Sequence, residues 1–199
     1  MTDLERTERS DALRNRRAIL AAAINLFDAA SDPLSITMDD VAAAAKVGKG
    51  TVFRRFGDRA GLLRAVLDDR IATLIDDIEH GAGSLGPSTP ARERIIPTLL
   101  AMIDFKVSNR GLLQALEQNQ RPAAGGFQIS ANYQWAHALM SRMLAEIVPP
   151  DETGFYAHAL LSLTRIDLID HMMVQDGYAV ADLKRHIRTY LCRLIQSYG

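Results

Sequence analysis

Lys49, Thr51, Arg54, Arg55 and Arg59 fall close together in the chain and have the chemistry of a phosphate and base reader. Ammonium and guanidinium groups neutralise phosphates, arginine can grip a guanine edge with two parallel bonds, and a threonine hydroxyl serves either target. A helix starting at Lys49 would add unpaired backbone N–H groups that favour an anion. Gly50 and Phe53 lie within the same run, and Thr37 upstream could reach a phosphate through its hydroxyl or the helix-start amides. A solvated basic helix face is the bland alternative for such a run. The turn, caps and spacing around it favour contact with double-stranded DNA.

Those groups need a rigid helix to carry them, and the flanking sequence supplies one. Thr37 is a good helix N-cap, with Asp40 placed to complete a capping box. The helix it opens runs to about Ala45, Lys46-Val47-Gly48 forms a turn, and a short helix spans Lys49 to Arg55. Val47, Val52, Phe53 and Phe56 read as the small core behind this pair. Two short helices about a tight turn form a helix-turn-helix, whose second helix enters the DNA major groove. From Lys46 to Arg64 six basic residues stand against one acid, so a chain of net charge −1 carries one basic end. Gly48-Lys49-Gly50-Thr51 looks like the tail of a phosphate loop, but it has neither the matching upstream glycine nor a preceding strand.

The rest of the chain reads as helices. Apolar residues at Ile19, Ala22, Ala23, Leu26, Phe27 and Ala30 mark one face of a helix from Asp11, ended by Ser31-Asp32-Pro33. Residues 1–10 read as a mobile polar lead, and the stretch from Arg6 to Arg17 as a solvated lead-in rather than a minor-groove arm. Gly57 breaks the chain and Asp58 caps a long helix to His80; Gly81 to Pro90 is a composition break. A helix then starts at Pro90 or kinks at Pro97. Short and long helices follow over Leu112–Gln118, Ser130–Ile147, Asp151–Gln175 and Val180–Ser197, with a loop from Asn119 to Gly126. No repeat and no strand-like alternation appears, so the predicted class is all-α, with a three-helix DNA-binding domain over 1–57 and a larger helical body over 58–199.

Bulk composition narrows the setting. The 199 residues suffice for a proper core, and 48% hydrophobic with 24% charged residues is globular rather than disordered. A single cysteine, Cys192, excludes an internal disulfide framework and fits a reducing cytoplasm. The charged N-terminus is no signal peptide, and no apolar run approaches the ~20 residues that span a bilayer, so the expectation is a soluble cytoplasmic protein without a membrane partner.

The run Ala45-Lys46-Val47-Gly48-Lys49-Gly50-Thr51-Val52-Phe53-Arg54-Arg55-Phe56 resembles the signature of the TetR family of one-component transcriptional regulators. That signature usually reads Ala-Gly-Val-Ser-Lys-Gly-Thr-Leu-Tyr-x-His-Phe, with a lysine shortly after, where Arg59 stands here. The resemblance covers roughly the first 65 residues. It implies a helix-turn-helix domain joined to a ligand-binding and dimerisation domain, a homodimer on a palindromic operator, and release of DNA by a small molecule. Three departures stand out. Gly48 replaces the capping serine, at a cost of only a few tenths of a kcal/mol. Phe53 replaces a tyrosine whose hydroxyl commonly meets a phosphate, and Arg55 replaces histidine, adding a permanent charge.

In the body, Met102, Ile103, Leu113, Leu116, Phe127, Tyr133, Trp135, Leu139, Met140 and Met143 are the candidate lining of a pocket for a small apolar or amphipathic ligand. Plain core is the competing reading for each. Asp104, Glu117, Gln118, His137 and Arg165 could supply polar anchors. Leu160, Leu168, Met172, Leu183, Ile187, Tyr190, Leu191 and Leu194 make apolar stripes suited to a four-helix dimer seam. Asp167, Asp170 and His171 share a helix face, but nothing completes a metal set and a salt-bridged surface is the better reading; His158 reads as structural. No catalytic residue, metal or cofactor is expected. An enzyme, or an interaction module that ignores DNA, is the alternative.

Overall fold

The computed structural model describes residues 3–30, 32–118 and 130–198. Among them lie ten α-helices and no strand, as the all-α reading requires. They are α1 (Asp3–Ala29), α2 (Met38–Ala44), α3 (Lys49–Phe56), α4 (Arg59–His80), α5 (Ala91–Ser108), α6 (Arg110–Gln118), α7 (Ala131–Leu144), α8 (Thr153–Ser162), α9 (Ile166–Val174) and α10 (Val180–Gln196), with a 3-10 turn at Pro33–Ser35. No described helix is long and apolar enough to cross a membrane.

The chain divides into two compact units. The first runs from the N-terminus to Arg70 and takes in the segment from Gly111, while the second holds Ile71–Arg110 and the described residues from Ser130 onward. The first unit thus continues past Gly57 because of what α4 buries. Leu62, Leu63 and Val66 of α4 share a core with Ile19, Ala23 and Phe27 of α1, Val41 of α2, and Val52 and Phe56 of α3. Leu112 and Ala115 of α6 complete it. A helix of eight residues is marginal alone. Burial of Val52 and Phe56, about 1.5–3 kcal/mol each, is what keeps α3 folded.

Local signals set the joint between α3 and α4. Gly57 adopts φ +78°, a left-handed value that ends α3. Asp58 Oδ1 then accepts the Gly61 N–H at 2.7 Å and caps α4. A Cβ at Gly61 would lie 2.0 Å from the carbonyl oxygen of Phe56, so only glycine lets α4 start this close to the end of α3.

In the second unit α5 packs against α7, α9 and α10, and α7 pairs with α8. Ile95, Leu99 and Ile103 of α5 meet Leu139 and Met140 of α7, Leu160 of α8, Ile169 of α9, and Leu183, Ile187 and Leu191 of α10. Pro97 lies inside α5, which starts at Ala91. Buried Arg94 donates to the carbonyls of Ile78 and Leu85, fastening the 81–90 loop between α4 and α5. Glu79 of α4 accepts from Trp135 Nε1 at 3.1 Å and pairs with Arg142 at 3.3 Å, tying this end of α4 to α7.

Two expectations need correction. The single helix over Asp151–Gln175 is two, α8 and α9, broken at 163–165. There Thr164 is buried, its hydroxyl donating to Leu161 O at 2.9 Å and accepting from Lys106 Nζ at 3.2 Å. The first helix begins at Asp3 rather than Asp11, so the expected mobile lead is helical from residue 3. The loop over Asn119–Gly126, Phe127, and the side chains of Glu117 and Gln118 lie outside the described residues.

Gly61→Ala is expected to lower stability by roughly 1–3 kcal/mol through overpacking, although alanine is the better helix former by about 1 kcal/mol. Urea unfolding checks this, and a midpoint unchanged or raised contradicts the close approach.

Candidate nucleic-acid interface

The interface is built on α2 and α3. Thr37 caps α2 in extended conformation, and both halves of the capping box are present. Thr37 Oγ1 accepts the Asp40 N–H at 3.2 Å and donates to Asp40 Oδ2 at 2.6 Å, while the Thr37 N–H donates to the same oxygen at 2.9 Å. The hydroxyl and then the backbone N–H of Thr37 hold the Asp40 carboxyl below its usual 3.8. Thr37 is therefore engaged in holding the start of α2.

The corner between the helices is a Schellman turn. Val47 N donates to Ala42 O at 3.0 Å and Lys46 N to Ala43 O at 3.1 Å, closing the last carbonyls of α2. The residue in the left-handed region is Lys46, at φ 55°. Gly48 instead sits in extended conformation, φ −68° and ψ 144°, as the N-cap of α3, with no side-chain cap. Gly48 thus takes the capping place that the sequence gives it, and Lys46 is the residue that bends the corner.

From that corner α3 presents its basic side. Lys49, Gly50, Phe53 and Arg54 are exposed, and Thr51 and Arg55 are half-buried. The sequence places Phe53 both in the small core and at DNA. It is 40% exposed, one residue round the helix from buried Val52, and the Lys49 ammonium lies 5.9 Å from its ring centre. Its neighbour Phe56 is buried and carries the Arg16 guanidinium of α1 over its ring at 5.0 Å. Open space surrounds Gly50, where an added Cβ would meet nothing within 4 Å. Helical glycine costs about 1 kcal/mol relative to alanine, and no packing within the chain demands it here.

Arg59 serves the scaffold. Arg59 donates from Nε to Ile36 O at 3.1 Å and from Nη2 to Pro33 O at 3.1 Å, pinning the segment that leads into α2. Arg55 has its Nε enclosed without a hydrogen-bond partner. Lys49 carries a contact that the sequence did not reveal. Its Nζ lies 2.8 Å from each carboxylate oxygen of Asp39 on α2. The two are ten positions apart and meet only because the corner folds α3 back on α2, so no periodic pattern marks the pair.

The body residues separate in the structure. Met102, Ile103, Leu139, Met140 and Met143 are buried in one core, with Tyr133 and Trp135 at its margin. Leu113 and Leu116 pack against the core of the first unit. A small apolar cleft of about 10 Å3, room for one water, is lined by Ile95, Leu144, Tyr156, Leu160, Leu191 and Tyr198 among others. Among the described residues, none of those expected in the pocket lines it. At one end Tyr198 shares a 2.6 Å hydrogen bond with Tyr156 and donates to Glu152 at 3.0 Å. The Tyr156 bond, burial and the Glu152 carboxylate all push the Tyr198 phenol upward. Of the seam residues, Leu160, Leu183, Ile187 and Leu191 are buried within the chain, Met172 and Leu194 lie at the core margin, and Leu168 and Tyr190 are exposed.

Among the described residues, the polar candidates have local partners. Asp104 pairs with Lys184 at 2.6 Å, Arg165 with Asp167, and Asp170 with Arg110 at 2.5 Å. His137 Nε2 lies 3.2 Å from Gly154 O, and its ring is 4.0 Å from that of His158, whose Nδ1 is 2.7 Å from the Tyr133 hydroxyl. His171 lies 3.9 Å from Asp176.

Residues 19–66 match the sequence profile of the bacterial regulatory proteins of the tetR family. An HTH-type transcriptional regulator of Staphylococcus aureus is 30% identical over 117 residues, covering 58% of this chain and 60% of that protein. The chain thus spans less than two thirds of that relative's length. The HTH-type transcriptional repressor LfrR of Mycolicibacterium smegmatis is 36% identical over 87 residues, 44% of each chain. Among solved structures, NalD, the secondary repressor of a multidrug efflux pump in Pseudomonas aeruginosa, superposes with a TM-score of 0.58 at 20% identity, covering 92% of this chain and 96% of its own. At that identity the likeness is one of fold.

Lys46→Gly is expected to raise unfolding free energy by about 0.5–1 kcal/mol, the left-handed strain relieved less the extra freedom of the unfolded glycine. Chemical denaturation with no gain, or a loss, contradicts a strained corner. A pH series on wild type and Asp40→Asn tests the cap. Because the folded Asp40 carboxyl titrates lower than the unfolded one, its contribution is complete above about 3.8 and is lost as pH falls through the lower folded value. A stability difference that instead grew on acidification would refute this.

Proposed function

We propose, from the match of residues 19–66 to the profile of the bacterial regulatory proteins of the tetR family, that this chain belongs to that family and is a sequence-specific DNA-binding transcriptional regulator, a repressor released from its operator by a small-molecule ligand. One observation carries this reading. The exposed side of α3 holds Lys49, Gly50 and Arg54 together beyond a rigid corner, with Thr51 beside them. A flat, cationic and partly side-chain-free helix start suits close approach to a groove. Lys49, Thr51 and Arg54 make the direct contacts. Arg55 adds charge, Phe53 packs against the sugar-phosphate edge, and Thr37 and Arg59 hold α2 in place while their backbone neighbourhood meets phosphate.

The protein acts as a homodimer on a palindromic operator, which puts two copies of α3 on successive major grooves on the order of 34 Å apart. Exposed Leu168 and Tyr190, with Phe155 and Val174, are the apolar groups available to a second copy. The ligand is apolar or amphipathic and enters the second unit among Met102, Met140 and Met143, whose unbranched chains repack at low cost. It can release DNA only through unequal affinity for DNA-competent and DNA-incompetent states.

Selection of bound fragments from a random duplex pool tests the function directly, and recovery of no common motif would sink it. With a selected fragment, Lys49→Ala is expected to weaken binding about 5- to 50-fold. An unchanged affinity would remove Lys49 from the interface.

A further inference from the structure

We infer that Asp39 is a specificity-determining residue that suppresses sequence-independent binding through its ion pair with Lys49, an inference that rests on the DNA-binding reading above. The pair joins α2 to α3 with Lys49 Nζ 2.8 Å from both Asp39 oxygens, on the surface assigned to DNA. Both side chains are 61% exposed. Exposed ion pairs add little to stability, so the fold has scant need of this one. The fold already has a neighbouring carboxylate for the start of α2, because Asp40 is the residue that completes the capping box.

The consequence follows from charge. Nonspecific binding comes from phosphate neutralisation, and each neutralised phosphate steepens the dependence on salt. In the free chain the Lys49 ammonium is already balanced by Asp39. A phosphate that takes Lys49 must first replace a carboxylate, and it leaves that carboxylate beside the backbone of the first helix, the element that crosses the phosphates in a helix-turn-helix. Backbone-only binding bears this repulsion in full. At an operator, base-edge contacts by Thr51 and Arg54 hold α3 in the groove, where Lys49 meets a base edge with its Asp39 partner kept. No phosphate then has to displace the carboxylate, and the repulsion is smaller there. Asp39 therefore lowers nonspecific affinity more than specific affinity, and widens their ratio.

The test uses the full chain, a fragment selected by the wild-type protein from a random duplex pool, and a scrambled duplex of equal length, across a salt series. Asp39→Asn is expected to bind the scrambled duplex roughly 5- to 10-fold more tightly with a salt slope steeper by about one, while affinity for the selected fragment rises less, so the ratio falls. Asp39→Glu restores the charge and is expected to restore the wild-type ratio. Thermal melts of both variants should coincide with wild type. Equal gains on both duplexes, or no gain on either, overturn the role of Asp39 while leaving the regulator reading intact. Wild-type protein that prefers no sequence defeats the regulator reading itself; even then a slope unchanged by Asp39→Asn separately refutes the masking of Lys49.

Discussion

The backbone corner at Ala45–Gly48 is the constraint from which the functional surface follows. Two hydrogen bonds, from Lys46 N and Val47 N to the last carbonyls of α2, fix the direction in which the chain leaves that helix. They do so by holding a lysine at φ 55°, a conformation that glycine adopts without strain and lysine does not. Release that corner and α3, too short to persist alone, loses the angle at which Val52 and Phe56 reach the core. Lys49, Gly50, Thr51 and Arg54 then have no common surface.

Around the corner, polar side chains divide between holding and presenting. Thr37 and Asp40 satisfy each other at the start of α2, and Arg59 spends two donors on the carbonyls of Pro33 and Ile36. These residues shape the surface from behind. Lys49 and Arg54 face outward, and Asp39 sets how much of the Lys49 charge is available. A net charge near zero is thus compatible with a basic end, because neutralisation is arranged residue by residue.

Much of the first unit was legible because its signals are local. A capping box, a glycine at Gly57 and an aspartate cap at Asp58 act within one turn, and α2, α3 and α4 fall within a residue or so of their expected limits. What was hidden depends on tertiary partners. The break between α8 and α9 carries no glycine or proline, and is held by buried Thr164 with Lys106 from another helix. An apolar stripe such as that of α6 does not say which core it joins, and Leu113 and Leu116 pack with Leu112 and Ala115 against the core of the first unit. The same ambiguity holds for the stripe of α10, where Leu183, Ile187 and Leu191 are buried within the chain and Tyr190 is exposed. The turn over Lys46-Val47-Gly48 and the place of Gly48 as the cap of α3 are legible, but nothing in the residue types marks Lys46 as the one in left-handed conformation.

The central claim is that α3 reads duplex DNA from the major groove. Methylation interference on a fragment selected by the protein measures this directly, since guanine N7 lies in the major groove and adenine N3 in the minor. Interference is expected at guanine N7 in two patches about 10 base pairs apart. Interference confined to adenine N3, or absent from both grooves while binding persists, would contradict the account.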